Sequence, residues 1–585
     1  MLVGLAPVMG RRVADATTVA TAAVVAVCCL ALLAASRDGT VVYWFGGWTP
    51  RGGIALGVAF AVDPVGAALA TLAGVLATAA LTFSWRIFEA VRTLHHGLML
   101  VFLAGIVGFC LSGDLFTMFV FFELLSVAAY ALAGYQTTDP GPVRGALNFA
   151  ITNSVGAILV LAGIALLYGR SGALNLAQLG QSLANHPADG LVVVAFLLLL
   201  VGFFVKAAVV PFHFWLADAY ALAPTVVGVL FAGVVSELGL YAVARVYWTV
   251  FSGPLAGFEG LPAIMLAAAV VTALVGGVMC VLQHHLARML AYATVSHVGL
   301  TLAGFALLGP AGTGGAVLYL VADGLVKGSL FISVGIIDHH LRDTDELRLA
   351  GRGRHLPWVA ALLVAGALGL AGVPPFGTFL GKALLEEAAI EAGQAWLIGL
   401  FVAVAALTSA ALLRATGRIF LGLAPGPEAA ARRRGPDESA VRHPHAHPTQ
   451  VVPAVALLAG AVVLGLWPGL TAAAEEAADR FTDRPDYAAA VLDGAAPGAP
   501  AAHLPVPLAA PALWAAVSAL LGLALALAAL RPDRLPAGPR DRLARAAAPV
   551  AAALRRIHAV QIGDSVTWLV VGMAGFGTLL ALVTR

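Results

Sequence analysis

Lysine occurs at only three positions in this chain, Lys206, Lys327 and Lys382, and each lies inside an apolar stretch: "VGFFVKAAVVPFHFWL", "LVADGLVKGSLF" and "AGVPPFGTFLGKALL". Glu123, Glu237 and Asp323 are embedded in the same way, with His213 and His297 as polar company. A charge at the centre of a membrane helix costs ~2.5–3.5 kcal/mol, so the three lysines alone amount to about 8–10 kcal/mol. Asp323 and Lys327 are four residues apart and share a helix face; Lys382 and Glu386 repeat that spacing. One isolated pair of this kind can serve simply to pin helices together. A series of acids, lysines and histidines spread over several helices is suited to passing protons. Arginine keeps its proton, whereas desolvation lets a lysine exchange one near neutral pH and a nearby carboxylate restores the charged form. A countercharge that moves therefore switches proton affinity, which is the physical basis of a pump. Replacement of lysine by arginine in an alanine-rich composition explains lysine-free loops, but not these three retained positions.

The elements that must hold these residues are membrane helices. The chain of 585 residues is 61% hydrophobic and 11% charged, with a mean hydropathy of +0.93. A soluble domain carries about 25% charged residues. Apolar runs recur over 17–35, 55–83, 95–111, 114–134, 145–168, 190–222, 224–250, 261–281, 287–309, 313–337, 357–392, 395–423, 451–471, 506–530 and 563–583. Each is long enough to cross the hydrocarbon layer, and none alternates as a transmembrane strand does. "MLVGLAPVMG" reads as the end of one more helix, which makes about 15–16 spans in an all-α polytopic membrane protein. A signal peptide over the first 35 residues is the competing reading of "GRR", the apolar stretch and "LLAAS", but many spans follow.

Arginine orders the connections. One alternate set holds Arg11, Arg12, Arg86, Arg92, Arg144, Arg288, Arg342, Arg348, Arg352, Arg354, Arg432, Arg433, Arg434, Arg442 and those from Arg531 to Arg556. The other holds Arg37, Arg51, Arg170, Arg480 and Arg484. The positive-inside rule places the first set in the cytoplasm and both termini outside. Residues 424–450 are rich in proline, alanine and charge and read as a flexible cytoplasmic loop; His443, His445 and His447 within it fit a solvated linker better than a metal site. Residues 540–558 carry arginines at helical spacing, as a helix lying on the membrane would, although Pro549 interrupts it. Cys28, Cys29, Cys110 and Cys280 sit in apolar runs without CxxC spacing and read as buried free thiols.

Two spans, 190–222 and 357–392, are too long for one crossing and hold Pro211 and the Pro374–Pro375 pair near their middles. Lys206 precedes the first break and Lys382 follows the second. Paired interrupted helices mark transporters built from repeats, with simple proline kinks as the plainer alternative.

At these residues the chain resembles a family. "FTMFVFFELLSVAAYALAGY", "KAAVVPFHFWLADAYALAPTVVGVLFAGVVSELGLYAVAR", "ARMLAYATVSHVGLTLAGF", "DGLVKGSLF" and "GVPPFGTFLGK" are similar to the antiporter-like subunits of respiratory complex I, Mrp-type cation/proton antiporters and membrane-bound hydrogenases. The likeness runs over roughly 55–425 and thins beyond 450, where "GDSVTWLVVGMAGFGTLLALV" looks like the last helix of some larger subunits. It implies two inverted five-helix repeats, each with a broken helix, joined by a mid-membrane line of buried charge. On that basis the chain divides into N-terminal helices over 1–112, a first repeat over 113–250, a second over 251–425, the loop over 426–450 and a C-terminal extension over 451–585. Glu123 matches the acid of the family's fifth helix and Lys206 its lysine partner on the broken seventh. Lys327 and Lys382 match the lysines of the eleventh and the broken twelfth. Glu237 departs from the pattern, standing where a bridging lysine is usual, and Asp323 stands where a histidine is common. Lysine at 382 leans toward the D-type Mrp subunit or the quinone-proximal complex I subunit.

The resemblance implies a proton-carrying subunit of a multi-subunit complex in a bacterial plasma membrane, among other membrane subunits and lipid, with protons and Na+ as the ions moved. A structural subunit that has lost transport and a stand-alone secondary transporter are the alternatives. No flavin, iron–sulfur, haem or nucleotide motif is present and nothing suggests nucleic acid, so no cofactor is expected and redox chemistry would belong to partners.

Overall fold

The structure is a computed structural model describing residues 11–85, 92–138, 140–184, 188–424, 447–495, 498, 503, 506–531, 545, 548–549, 551–554, 556–558 and 562–583. Helix α1 (Arg11–Ala35) leads into an antiparallel hairpin, β1 (Val41–Trp44) and β2 (Ala59–Val62). Then come α2 (Pro64–Ser84), α3 (Arg92–Leu111), α4 (Leu115–Ala133), α5 (Pro140–Ser171) and the short α6 (Leu176–Ala184). A broken span follows as α7 (Gly190–Ala207) and α8 (Phe214–Leu222), and then α9 (Thr225–Phe251), which contains two π-helical segments. Next are α10 (Leu261–Leu282), α11 (Leu286–Ala306), α12 (Pro310–Leu341) and the second broken span, α13 (Pro357–Leu370) and α14 (Gly377–Glu391). The chain continues with α15 (Leu397–Leu421), α16 (Pro448–Leu466), the short α17 (Leu470–Thr482) and α18 (Arg484–Asp493), then α19 (Ala509–Leu530) and α20 (Ile562–Val583).

Among the described residues thirteen helices are long and apolar enough to cross a membrane, and two shorter apolar helices lie over Pro357–Leu370 and Val566–Leu579. Both long segments with central prolines are indeed broken. One boundary differs from expectation. The apolar run over 55–83 begins as strand β2 and becomes helical only at Pro64, because Asp63 caps α2 by accepting from the Gly66 N–H at 2.9 Å. Hydropathy alone does not separate a short apolar strand from the start of a helix. Asp114 and Asp189 cap α4 and α7 in the same way.

Helices α9, α11 and α12 form the buried centre, whereas α1, α16 and α19 lie at the periphery with mostly exposed apolar faces. Where α9 crosses α12, Gly233 and Gly324 meet: a Cβ on Gly324 would stand 2.4 Å from the Gly233 carbonyl oxygen. Small residues let the two backbones touch beside Asp323.

The two halves share a backbone feature. Leu115 N–H donates to Leu174 O (2.9 Å) and Leu176 N–H to Gly113 O (3.1 Å), tying the start of α4 to the chain leaving α5. Leu286 N–H donates to Thr344 O and Glu346 N–H to His284 O (2.9 Å each), tying the start of α11 to the chain leaving α12. In both places a helix of 19 or 21 residues precedes one of 32, and a broken helix follows.

The C-terminal helices dock on the breaks. Phe576 of α20 lies 5.5 Å from Phe204 and 6.0 Å from Phe212, ring centre to ring centre, and Trp568 stacks on Phe214 at 5.7 Å. The stub over 1–10, the loop over 425–446 with His443 and His445, and residues 532–544 lie outside the described residues; His447 is the N-cap of α16 in a capping box with Gln450. Cys29, Cys110 and Cys280 are buried free thiols, but Cys28 faces outward from α1, since a peripheral helix buries only one of two adjacent residues.

Candidate proton-transfer site

Lys206 is the penultimate residue of α7 and its side chain is fully buried. The negative end of a half-helix favours a cation there. Its Nζ donates to Ser126 Oγ on α4 at 2.8 Å and lies 5.0 Å from the Phe122 ring centre, a cation–π distance. Glu123 is one turn before Ser126, and its buried Oε1 has no hydrogen-bond partner. The expected Glu123–Lys206 partnership is thus electrostatic and without a hydrogen bond: a hydroxyl on the same face of α4 holds the ammonium.

The break that follows passes through Ala208 in the left-handed region and a cis Val210–Pro211 bond. Trp215 Nε1 donates to Val205 O (2.9 Å) in the last turn of α7, and Val210 N–H donates to Thr272 Oγ1 (3.0 Å). Side chains and local backbone N–H groups together satisfy the interrupted backbone, as a membrane requires. His213 lies just past the break, with its Nε2 2.8 Å from Nε2 of His558 in the C-terminal segment.

The second break passes through Gly372 in the left-handed region and a cis Pro374–Pro375 bond. Thr378 Oγ1 donates to Gly369 O (2.7 Å), matching Trp215 in the first break. Lys382 stands in the second turn of α14, buried, with Nζ donating to Ser518 Oγ on α19 at 3.0 Å and lying 3.8 Å from Glu386 Oε1.

Between the breaks, Asp323 and Lys327 pair on one face of α12, as their spacing predicts. The other oxygen of Asp323 meets His297 Nδ1 of α11 at 2.8 Å; Tyr319 OH is 3.2 Å from the same nitrogen, and His297 Nε2 is 3.4 Å from Thr408 Oγ1 of α15. Glu237 of α9 follows the π-helical segment Phe231–Val235. π-Segments are frequent at functional positions. The Glu237 carboxylate is buried, both oxygens lack a hydrogen-bond partner, and its electrostatic neighbours are Lys327 and Asp323. Asp323, Lys327, His297 and Glu237 thus converge at the centre, with Lys206 and Lys382 at the two breaks.

Several polar residues escape a reading of the sequence. Ser126 and Ser518 look like ordinary small residues of apolar helices, and only the fold aims them at lysines. Arg245, Arg414 and Arg418 carry a visible signal, since they also fall inside apolar spans. Arg245 is buried against Asp63 Oδ2, with its guanidinium 4.1 Å from the Phe481 ring centre. The fully buried Glu346 takes Arg414 (3.0 Å), Arg418 (2.5 Å) and His284 (2.8 Å). Both knots tie helix ends together, so they act as anchors.

Paired broken helices flanking a buried cluster of acids, lysines and histidine define a polytopic membrane protein of the transporter type. Residues 112–408 match the family described as NADH:quinone oxidoreductase/Mrp antiporter, TM. The chain belongs to this family, and its relatives agree. It is 31% identical to the N-type subunit of the NADH-quinone oxidoreductase of Desulforudis audaxviator over 73% of this chain and 84% of that one. It is 30% identical to the D-type subunit of the Na(+)/H(+) antiporter of Bacillus subtilis over 64% of this chain and 74% of that one. A chain of the Mrp complex from Dietzia sp. DQ12-45-1b superposes with a TM-score of 0.72 at 28% identity, covering 82% of this chain and 95% of that one. A chain of the archaeal membrane-bound sulfane sulfur reductase has the same fold, with a TM-score of 0.74 at 23% identity over 84% of this chain and 96% of that one.

Proposed function

We propose that this chain is a proton-translocating membrane subunit of a multi-subunit complex, either an Mrp-type cation/proton antiporter or an NADH-quinone oxidoreductase-like assembly. It works beside other membrane subunits in a bacterial plasma membrane with both termini outside, and its protons are exchanged for a cation such as Na+. The two backbone ladders and two breaks support a division into repeats over 113–250 and 251–425. Proton movement follows from the charge arrangement. Lys206 holds a proton against Ser126 and passes it on when the influence of Glu123 changes. Glu237, Asp323 and Lys327 relay it across the centre, His297 helps through Asp323, and Lys382 hands it to the far side.

The observation that carries this reading is Lys206 itself. It is fully buried, yet its hydrogen bond goes to a neutral hydroxyl and its countercharge stays unbonded on another helix. A pair kept only for packing would close the carboxylate onto the ammonium. The test is proton flux, read with a pH-sensitive dye, in vesicles holding the whole complex. Lys206→Ala and Glu123→Ala are expected to lower flux sharply while assembly stays normal; flux left intact in both would refute the role. The acids at 237 and 323 favour a second reading, a structural subunit without transport, under which neither substitution alters flux.

A further inference from the structure

A crevice of about 230 Å³ opens between α1, α2, α12, α16 and α17. Its walls are apolar, formed by Val65, Ala68, Val317, Val321, Leu464 and Ala477, and its charged members are Arg37, Arg480 and Glu476. On α12, Val317 and Val321 lie about 200° around the helix from Tyr319 and Asp323, so the crevice backs onto the face opposite the buried cluster. Helix α17 follows the span α16 and turns Leu470, Ala473, Ala477 and Arg480 toward the crevice, with Glu475 and Asp479 on its other side, which suits a position along the membrane boundary.

Arg480 is poorly satisfied. Its side chain is 11% exposed, its Nη2 is 3.6 Å from Glu476 Oε1, and its buried Nε has no hydrogen-bond partner among the described residues. A buried donor left unpaired is unfavourable, and folded proteins satisfy such groups with a partner, water or an ion. The guanidinium fork matches phosphate geometry, and Arg37 adds a second, exposed cation in the short turn that follows α1. A free phosphate would leave the apolar walls unused. With Glu476 beside two arginines the crevice lining keeps one net positive charge, which an anionic lipid neutralises and a lipid without net charge does not.

We infer that this crevice binds one anionic phospholipid of the surrounding bilayer. An acyl chain lies against Val65, Val317, Val321 and Leu464, and the phosphate is held by Arg37 and Arg480. The bound chain supports α12 from behind. This site is independent of the transport reading and holds for a structural subunit equally.

The full-length protein in mild detergent is titrated with phosphatidylglycerol, with phosphatidylcholine, and with inorganic phosphate. Retained lipid is read by native mass spectrometry, and the thermal unfolding midpoint is followed alongside. The expected result is one retained phosphatidylglycerol, about tenfold preferred over phosphatidylcholine and lost on Arg37→Gln/Arg480→Gln, as follows from removing charge-assisted hydrogen bonds. Inorganic phosphate is expected to leave the midpoint unchanged. Arg37→Gln alone, at an exposed position, keeps the test decisive should the double variant unfold, because it too is expected to weaken the preference. Equal retention of the two lipids, a preference that survives Arg37→Gln, or a midpoint shift by inorganic phosphate equal to that by phosphatidylglycerol would each overturn the inference.

Discussion

The two broken helices use one plan with opposite electrostatics. In the first, Lys206 stands before the break at the negative end of a half-helix, hydrogen-bonded to Ser126, while Glu123 waits on a different helix. In the second, Lys382 stands after the break, in the second turn of α14 with its side chain against Gly372 just past the end of α13, and carries Glu386 one turn along its own helix at 3.8 Å. Each lysine donates to a serine of a neighbouring helix, Ser126 or Ser518. The countercharge of the first lysine can therefore change its distance when helices move, whereas that of the second moves with it. The geometry suits the first break to switching by helix movement, and gives the second lysine a countercharge that travels with it. The C-terminal extension reinforces this difference, since α19 supplies Ser518 to the second site while α20 packs on the first through aromatic rings.

The largest expected effect removes the lysines. Lys206→Met lowers proton flux through the assembled complex ~10²-fold, the lower range for losing a proton-transfer group. Lys382→Met does the same if the path runs through both breaks. A Lys382→Met complex that pumps normally would detach the second break from the route.

The carboxylates separate the two sites more sharply. Glu123→Gln is expected to lower flux about tenfold with a smaller loss of thermal midpoint than Glu386→Gln, because Glu123 makes neither a hydrogen bond nor a contact ion pair with Lys206. Glu386→Gln leaves a buried ammonium without its charge partner and is expected to destabilise the protein by ~3 kcal/mol, read by thermal unfolding in detergent. The reverse outcome, with Glu123→Gln unstable and Glu386→Gln affecting flux alone, would exchange the roles assigned to the two breaks.

Much of this was legible in the sequence, and the rest was hidden for identifiable reasons. Hydropathy located the spans because a bilayer demands long apolar helices, and proline located both breaks. The embedded charges stood out because so few charged residues share their surroundings. Ser126 and Ser518 stayed invisible: a serine in an apolar helix gives no sign of which neighbour it will face. The β2 strand was hidden in an apolar run that a helix could equally have used, with Asp63 and Pro64 the hints of where helix begins. Arg245 and Asp63 were readable separately, but nothing in the sequence joins residues 182 positions apart.

The backbone offers a smaller, opposed pair of effects. Both breaks pass through the left-handed region, at Ala208 (φ 58°) in one and Gly372 (φ 67°) in the other. A side chain there costs roughly 1–2 kcal/mol, so Gly372→Ala should destabilise by about that amount. The added Cβ would also stand 3.1 Å from Lys382 Cδ, so flux should fall with stability. Ala208→Gly relieves the same strain and adds chain entropy to the unfolded state, leaving a net change within ~1 kcal/mol. Thermal unfolding of the two variants side by side checks the contrast, and an equal loss in both would mean that the first break tolerates no more freedom than the second.

The smallest effect concerns how each break satisfies the carbonyls it exposes. Trp215 Nε1 reaches back to Val205 O at 2.9 Å, and Thr378 Oγ1 to Gly369 O at 2.7 Å. Each carbonyl also accepts a backbone N–H, from Ala208 at 3.2 Å and from Gly372 at 3.0 Å, so neither is orphaned when the side chain is removed. Thr378→Val deletes a hydroxyl donor at nearly constant volume and should cost ~0.5–1.5 kcal/mol, the net worth of one hydrogen bond. Trp215→Phe deletes the indole N–H together with part of a ring stacked on Phe149 at 4.4 Å, and Phe149 in turn lies 5.7 Å from Lys206 Nζ. It should therefore cost more stability than Thr378→Val and also reduce flux, because the wall beside Lys206 loosens. If Trp215→Phe lowers the thermal midpoint but leaves flux unchanged, the first break is held rigidly without help from its aromatic wall, and the contrast between a switchable and a fixed site must rest on Glu123 alone.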